Sequence, residues 1–267
     1  MYKEFFKFKA RPFSKTPDPF YLYQSASHRE ALARLLHAVE EREMILLTGD
    51  IGCGKTTLSR ALIDELGETA KVALLTNPRL SPLEFLYSVA SKFGVISPAS
   101  DRLGLLEQVE QILYDLYRKG CVPVLIIDEA HLIPHRDTFE EIRLLTNFQL
   151  DDGNLLSVIF LGQPELRHRL AHPVYEPLRQ RIGLQFDVGP LNLVETVAYL
   201  RHRIHCAGGH EDIFRDDAIA ELHKFSNGVP RRINQAASLA LLEAFGREQR
   251  YVDSTIVAEV VAELTGI

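Results

Sequence analysis

The sequence predicts an α/β fold: a parallel, doubly wound sheet followed by a small all-helical domain. Three observations predict it. Short apolar runs alternate with amphipathic helical stretches as far as Pro190, the pattern of repeated strand–helix–strand crossovers. The central runs are almost continuously apolar, as strands covered on both faces are. Beyond Pro190 only helix-like stretches remain.

Each element has a local reason. Residues 1–28 hold many large apolar groups and prolines, among them Phe5, Phe6, Phe8, Pro12, Phe13, Pro17, Pro19, Phe20, Tyr21 and Tyr23. Linkers seldom do, so an ordered wrapping segment is expected. Ser27 is placed to cap a helix over 28–41. A strand over 44–48 and a helix over 55–66 follow, then a strand over 71–76. Pro82 suits the first turn of a helix over 81–93. Leu105, Val109, Ile112, Leu113 and Leu116 form one stripe of a helix over 101–119. The run Val122–Ile127 reads as a buried strand, 138–150 as a helix and 155–161 as a strand. Short helices are expected at 165–170 and 175–181, and a last strand at 184–188. Helices over 192–205, 216–226, 230–246 and 253–264 complete the chain, with turns at Gly208-Gly209, Asn227-Gly228 and Gly246. The expected division is 1–190, an α/β core with its N-terminal wrap, and 191–267, a helical lid.

With 267 residues and 46% hydrophobic content the chain can bury a full core. A net charge of −6 is a poor footprint for a dedicated nucleic-acid binder, although a local basic face would be compatible with it. The three cysteines, Cys53, Cys121 and Cys206, show no metal-ligand spacing and no even disulfide set. A reducing, cytoplasmic setting follows. The N-terminus lacks the apolar core of a secretory signal, and no apolar run approaches a bilayer span.

Residues Gly49-Asp50-Ile51-Gly52-Cys53-Gly54-Lys55-Thr56-Thr57 match the G-x-x-x-x-G-K-[ST] phosphate loop, set between a strand and a helix as the motif requires. Its glycines let backbone N–H groups turn toward phosphate oxygens, and the following helix aims its positive end there. Lys55 reaches the β- and γ-phosphates of ATP, and the Thr56 hydroxyl holds Mg²⁺. The fold class thus becomes that of a P-loop NTPase. The run Val124–Ile127 ends in Asp128-Glu129. Asp128 is placed to hold Mg²⁺ through water, and Glu129 to orient and deprotonate an attacking water. Together these motifs predict an ATPase.

Around them stand supporting candidates. Gln163 follows a strand; it positions the water or touches the γ-phosphate, or simply starts a helix before Pro164. Asn77 holds Glu129 inactive through a hydrogen bond, or is a turn residue before Pro78. Arg181, or secondarily Arg179, serves a neighbouring subunit's site in trans. Arg231, in the first turn of a helix opened by Pro230, reports the nucleotide phosphates to the lid; beside a helix's positive end an anionic ligand would accommodate it. Asp128-Glu129-Ala130-His131 also occurs in DEAH-type helicases, but those build their site from two α/β domains, so His131 reads as a local structural residue. Cys53 would expose the loop to thiol reagents, or is a tolerated small residue. The histidines of Arg201–His205 read as the solvated face of an amphipathic helix.

The phosphate loop, Asp128-Glu129, Arg181, the Gly228-Val229-Pro230-Arg231 turn and the helical lid together resemble AAA+ ATPases over residues 25–265. More narrowly, Met1-Tyr2-x-x-Phe-Phe, Arg11-Pro12-Phe13-Ser14, Thr16-Pro17-Asp18-Pro19, His28-Arg29-Glu30-Ala31-Leu32 and Gly162-Gln163-Pro164-Glu165-Leu166 resemble the general secretion pathway protein A (ExeA/GspA) type. The resemblance implies a homo-oligomeric ring or filament binding ATP and ADP between subunits, with 13–23 nearest the adenine. It also implies a link to secretion, pilus or envelope assembly. Secretion-type members continue into a membrane span and a peptidoglycan-binding domain, so a chain ending at Ile267 is expected to be a free-standing member or a fragment. Related ATPases regulate transposition; an ATP-dependent DNA binder, with Lys9, Arg11, Arg167 and Arg169 lining its path, is the alternative.

Overall fold

In a computed structural model of the chain, residues 2–14, 18–150 and 153–266 are described. The elements run α1 (Tyr2–Phe5), α2 (Ala26–Glu40), β1 (Met44–Thr48), α3 (Lys55–Leu66), β2 (Ala70–Leu75), α4 (Pro82–Phe93), α5 (Arg102–Arg118), β3 (Val122–Ile127) and α6 (Arg136–Leu145). A small hairpin, β4 (Gln149–Leu150) and β5 (Gly153–Asn154), comes next. Then follow β6 (Ser157–Gly162), α7 (Pro164–Leu170), α8 (Glu176–Arg179), β7 (Ile182–Asp187), α9 (Leu193–Cys206), α10 (Asp216–Ser226), α11 (Pro230–Gly246) and α12 (Ser254–Thr265).

Five strands form one parallel sheet in the order β2-β3-β6-β1-β7. Burial explains the sequence pattern. All residues of β1 and β6 are buried, and so are Pro123–Ile127 of β3, whereas the edge strand β7 alternates. Because the strands are parallel, the C-terminal ends of β3, β6 and β1 lie side by side along one edge.

The chain divides into two compact units. One comprises Arg29–Gly49 and Leu58–Val188; the other comprises Met1–His28, Asp50–Thr57 and Gly189–Ile267. Each has its own core. In the first, Phe85, Phe139 and Phe160 are among the largest fully buried side chains, packed with Leu46, Leu105 and Ile127. In the second, Phe6, Phe8 and Phe13 join Tyr199, Leu222, Ile233 and Val257. The grouping differs from a single division at residue 190 because those N-terminal phenylalanines pack into the helical cluster, and the phosphate loop groups with it too.

Several local expectations change. Ser25, not Ser27, caps α2: its Oγ accepts the His28 N–H at 3.3 Å. Helix α6 stops at Leu145 because the Thr146 hydroxyl donates to the Arg143 carbonyl at 2.7 Å. The following apolar residues Phe148 and Leu150 then pack against the core as part of an extended turn and hairpin. Strand β7 begins at Ile182, since the register shifts between Met44 and Ile45 and Gly183 is the bulged residue. The segment expected as helix 175–181 is a 3-10 turn over Pro173–Tyr175 followed by α8, so Arg181 lies beyond it. One parallel bridge, Phe214 with Val252, runs through the helical unit, where no strand was expected. Thr16 and Pro17 of the N-terminal signature, and Met1, lie outside the described residues.

Candidate functional site

The phosphate loop is shaped by two glycines that admit no side chain. Gly52 has φ +89°, and a Cβ there would lie 2.5 Å from Arg231 Cβ; Gly54 has φ +95°, and a Cβ there would lie 2.9 Å from His28 Nε2. Within the loop, Cys53 N–H donates to the Asp50 carbonyl at 3.2 Å and Lys55 Nζ donates to the same oxygen at 3.0 Å. Lys55 is buried and Thr56 half-buried. From α11, Arg231 N–H donates to the Gly52 carbonyl at 3.3 Å. Thus Arg231, expected from sequence to sense phosphate, has its backbone fixed to the loop and its side chain exposed.

Sequence reasoning missed His28. Its ring is buried, with Nε2 2.9 Å from the Cys53 carbonyl and Nδ1 2.7 Å from Ser25 Oγ. A carbonyl only accepts, so Nε2 carries the hydrogen and Ser25 donates to Nδ1. Burial, the largest cause, lowers the His28 pKa from its ordinary value and outweighs the opposing bond to Cys53. The neutral ring therefore braces the loop. The sequence signals were its place three residues after a serine and at the head of His28-Arg29-Glu30-Ala31-Leu32, neither of which points to the loop.

At the other motif, Asp128 is buried at the end of β3, and its Oδ1 accepts the Glu129 N–H at 2.9 Å. Glu129 has φ +53° and ψ +37°, the left-handed region that costs a residue with a Cβ about 1–2 kcal/mol. The chain thereby turns immediately after β3 and leaves the Glu129 carboxylate 41% exposed. His131 Nε2 lies 3.5 Å from Glu129 Oε2 and 2.9 Å from Gln163 Nε2, and the Gln163 N–H points to His131 Nδ1 at 3.4 Å. Gln163 follows β6, between the strands carrying the acids and leading to the loop. Asn77 Oδ1 accepts the Arg79 N–H at 3.4 Å, a bond within its own turn.

The arginines differ in what they already hold. Arg179 is paired with Glu176, whereas exposed Arg181 donates to the neutral Asn147 Oδ1 at 2.9 Å. Arg169 is turned inward: it donates to Tyr175 and the Ile133 carbonyl, and its guanidinium lies 4.9 Å from the Phe139 ring centroid. It is therefore committed to the fold rather than to a basic path. Cys53 is fully buried, which denies a reagent the access its thiol would need.

Among the described residues no three His, Cys, Asp or Glu side chains gather as a metal cluster. Mg²⁺ needs none, since it takes one or two protein oxygens and completes its shell with phosphate and water. The Thr56 hydroxyl and the Asp128 carboxylate are each a hard oxygen donor of the kind it takes. Among the described residues no helix is long and apolar enough to cross a membrane.

Residues 37–170 match the model of the AAA domain family. The chain is 36% identical, along its whole length, to general secretion pathway protein A of Aeromonas hydrophila, and spans 49% of that protein. Among solved structures, the ORC2 protein of Aeropyrum pernix, in its ADPNP–ADP complexes, superposes with a TM-score of 0.69 at 17% identity, covering 96% of this chain and 72% of that one. The RuvB branch migration motor of Thermotoga maritima gives 0.62 at 19% identity, covering 92% and 73%. At such identities the structures testify to the fold, while the family match and the full-length likeness go further: the chain belongs to the AAA+ ATPases and is a member of the general secretion pathway protein A type.

Proposed function

We propose that the protein hydrolyses ATP with Mg²⁺ in a reducing, cytoplasmic setting, and couples turnover to its own oligomerisation or to remodelling of a partner in secretion, pilus or envelope assembly. The observation that carries the catalytic part is the strand order. Only β6 separates β1, which leads into the phosphate loop, from β3, which ends in Asp128-Glu129. The link to secretion rests on the likeness to general secretion pathway protein A, of which the chain spans about half.

In this reading the loop amides and Lys55 bind the β- and γ-phosphates. Thr56 and Asp128 would hold Mg²⁺, which when bound would neutralise developing phosphate charge. Glu129 accepts a proton from water as the water oxygen bonds to the γ-phosphorus. The bond from that phosphorus to the bridging oxygen breaks, and ADP leaves. Arg181 of a second copy supplies positive charge to the transferring group.

Two variants test it. Lys55→Ala should lose binding of labelled ATP. Glu129→Gln should bind ATP normally and release phosphate about 10²–10⁴-fold more slowly. Wild-type phosphate release by Glu129→Gln would overturn the assignment.

A further inference from the structure

We propose that His131 is a positioning residue that ties the Gln163 amide, after β6, to the Glu129 carboxylate, after β3. The inference rests on the hydrolysis reading, in which Glu129 takes the proton, and names a further residue that governs it.

The turn that carries the ring is anchored. Ala130, which opens the 3-10 turn Ala130–Leu132, and Ile133, which follows it, are buried, and Leu132 N–H closes onto the Glu129 carbonyl at 2.8 Å. The His131 side chain is only 13% exposed, against 41% for Glu129. A surface histidine solvating a strand end would be neither enclosed nor placed between two other polar groups.

The bonds also fix its tautomer. Nδ1 faces the Gln163 backbone N–H at 3.4 Å, so Nδ1 accepts and Nε2 carries the hydrogen. Two groups then face that one hydrogen: the Glu129 carboxylate at 3.5 Å, and the Gln163 side-chain amide, placed with its nitrogen 2.9 Å away. The amide accepts when its oxygen is turned to the ring, an orientation assigned through the hydrogen-bond network. When the amide turns away to a polar group of the substrate, Nε2–H passes wholly to Glu129. The carboxylate, already on a left-handed backbone that fixes its exit from β3, is then pinned for the attacking water. Gln163 thus reports occupancy, and His131 carries the report.

The test compares His131→Leu, which fills similar space without a donor, His131→Gln, which restores an N–H, and Gln163→Ala, singly and combined. His131→Leu should lower kcat about 10-fold or more with the KM for ATP changed less than about twofold, and His131→Gln should recover part of the loss. Gln163→Ala should cost less in the His131→Leu background than alone. Melting temperature and ATP affinity identify a variant that merely misfolds; His131→Gln then decides. Wild-type kcat in His131→Leu, or fully multiplicative losses, would overturn the inference while an inactive Glu129→Gln left the hydrolysis reading standing. An active Glu129→Gln would remove both.

Discussion

His28 spends both ring nitrogens on bracing the phosphate loop, one through Ser25 and one directly on the Cys53 carbonyl. His28→Ala removes a buried donor from that carbonyl, so it should cost about 0.5–1.5 kcal/mol of stability and weaken ATP binding. His28→Gln can keep the donor and should recover much of both. The pH dependence has a definite sign. Burial lowers the His28 pKa below its ordinary 6.5, so the unfolded chain takes up a proton that the folded chain refuses. The bracing contribution is complete above pH 6.5 and declines as pH falls toward the lowered value. Calorimetric melting from pH 7.5 to 5.5 should show a destabilisation that His28→Gln lacks; equal pH profiles would refute it. This residue was not legible in the sequence because its partner is a backbone carbonyl 25 positions away, which leaves no side-chain pattern. The phosphate loop itself was legible, because its motif is local and its glycines carry the geometry.

Among the elements, legibility followed burial. β1, β3 and β6 are apolar runs because both their faces are covered, and their existence and order of appearance could be read directly. The hairpin β4–β5 could not, since Phe148 and Leu150 continue an apolar spacing that a helix would equally produce. The start of β7 was hidden by Gly183, which reads as a turn but occupies a bulge. Helix starts carry their own chemistry. At α9, Asn192 and Glu195 form a capping box, and Glu195 also accepts the Ala26 N–H at the start of α2 at 3.2 Å. At α4, Ser81 and Glu84 form a box without such a second helix. Glu195→Ala should therefore lose two backbone partners and cost about 1–2 kcal/mol by urea denaturation, more than Glu84→Ala. Equal losses would mean that the Ala26 bond contributes nothing.

For the whole molecule, the family was legible because its motifs sit on the strands that define the sheet, while the assembly was not, because an interface leaves no motif as local as a phosphate loop. Arg181 is where the two questions meet. It is exposed and bound to a neutral amide, whereas Arg179 is already balanced by Glu176. An arginine serving a neighbour's phosphates must be free of a permanent carboxylate partner, which favours Arg181. Arg181→Ala should leave ATP binding intact and abolish most phosphate release. Glu129→Gln should do the same for a different reason. If each site combines Glu129 of one copy with Arg181 of the next, a randomly mixed assembly of equal parts has about a quarter of its interfaces built from two intact contributions. Phosphate release should then rise on mixing, peak near equal proportions and fall again on either side. An inactive mixture at every ratio would mean that each copy completes its own site.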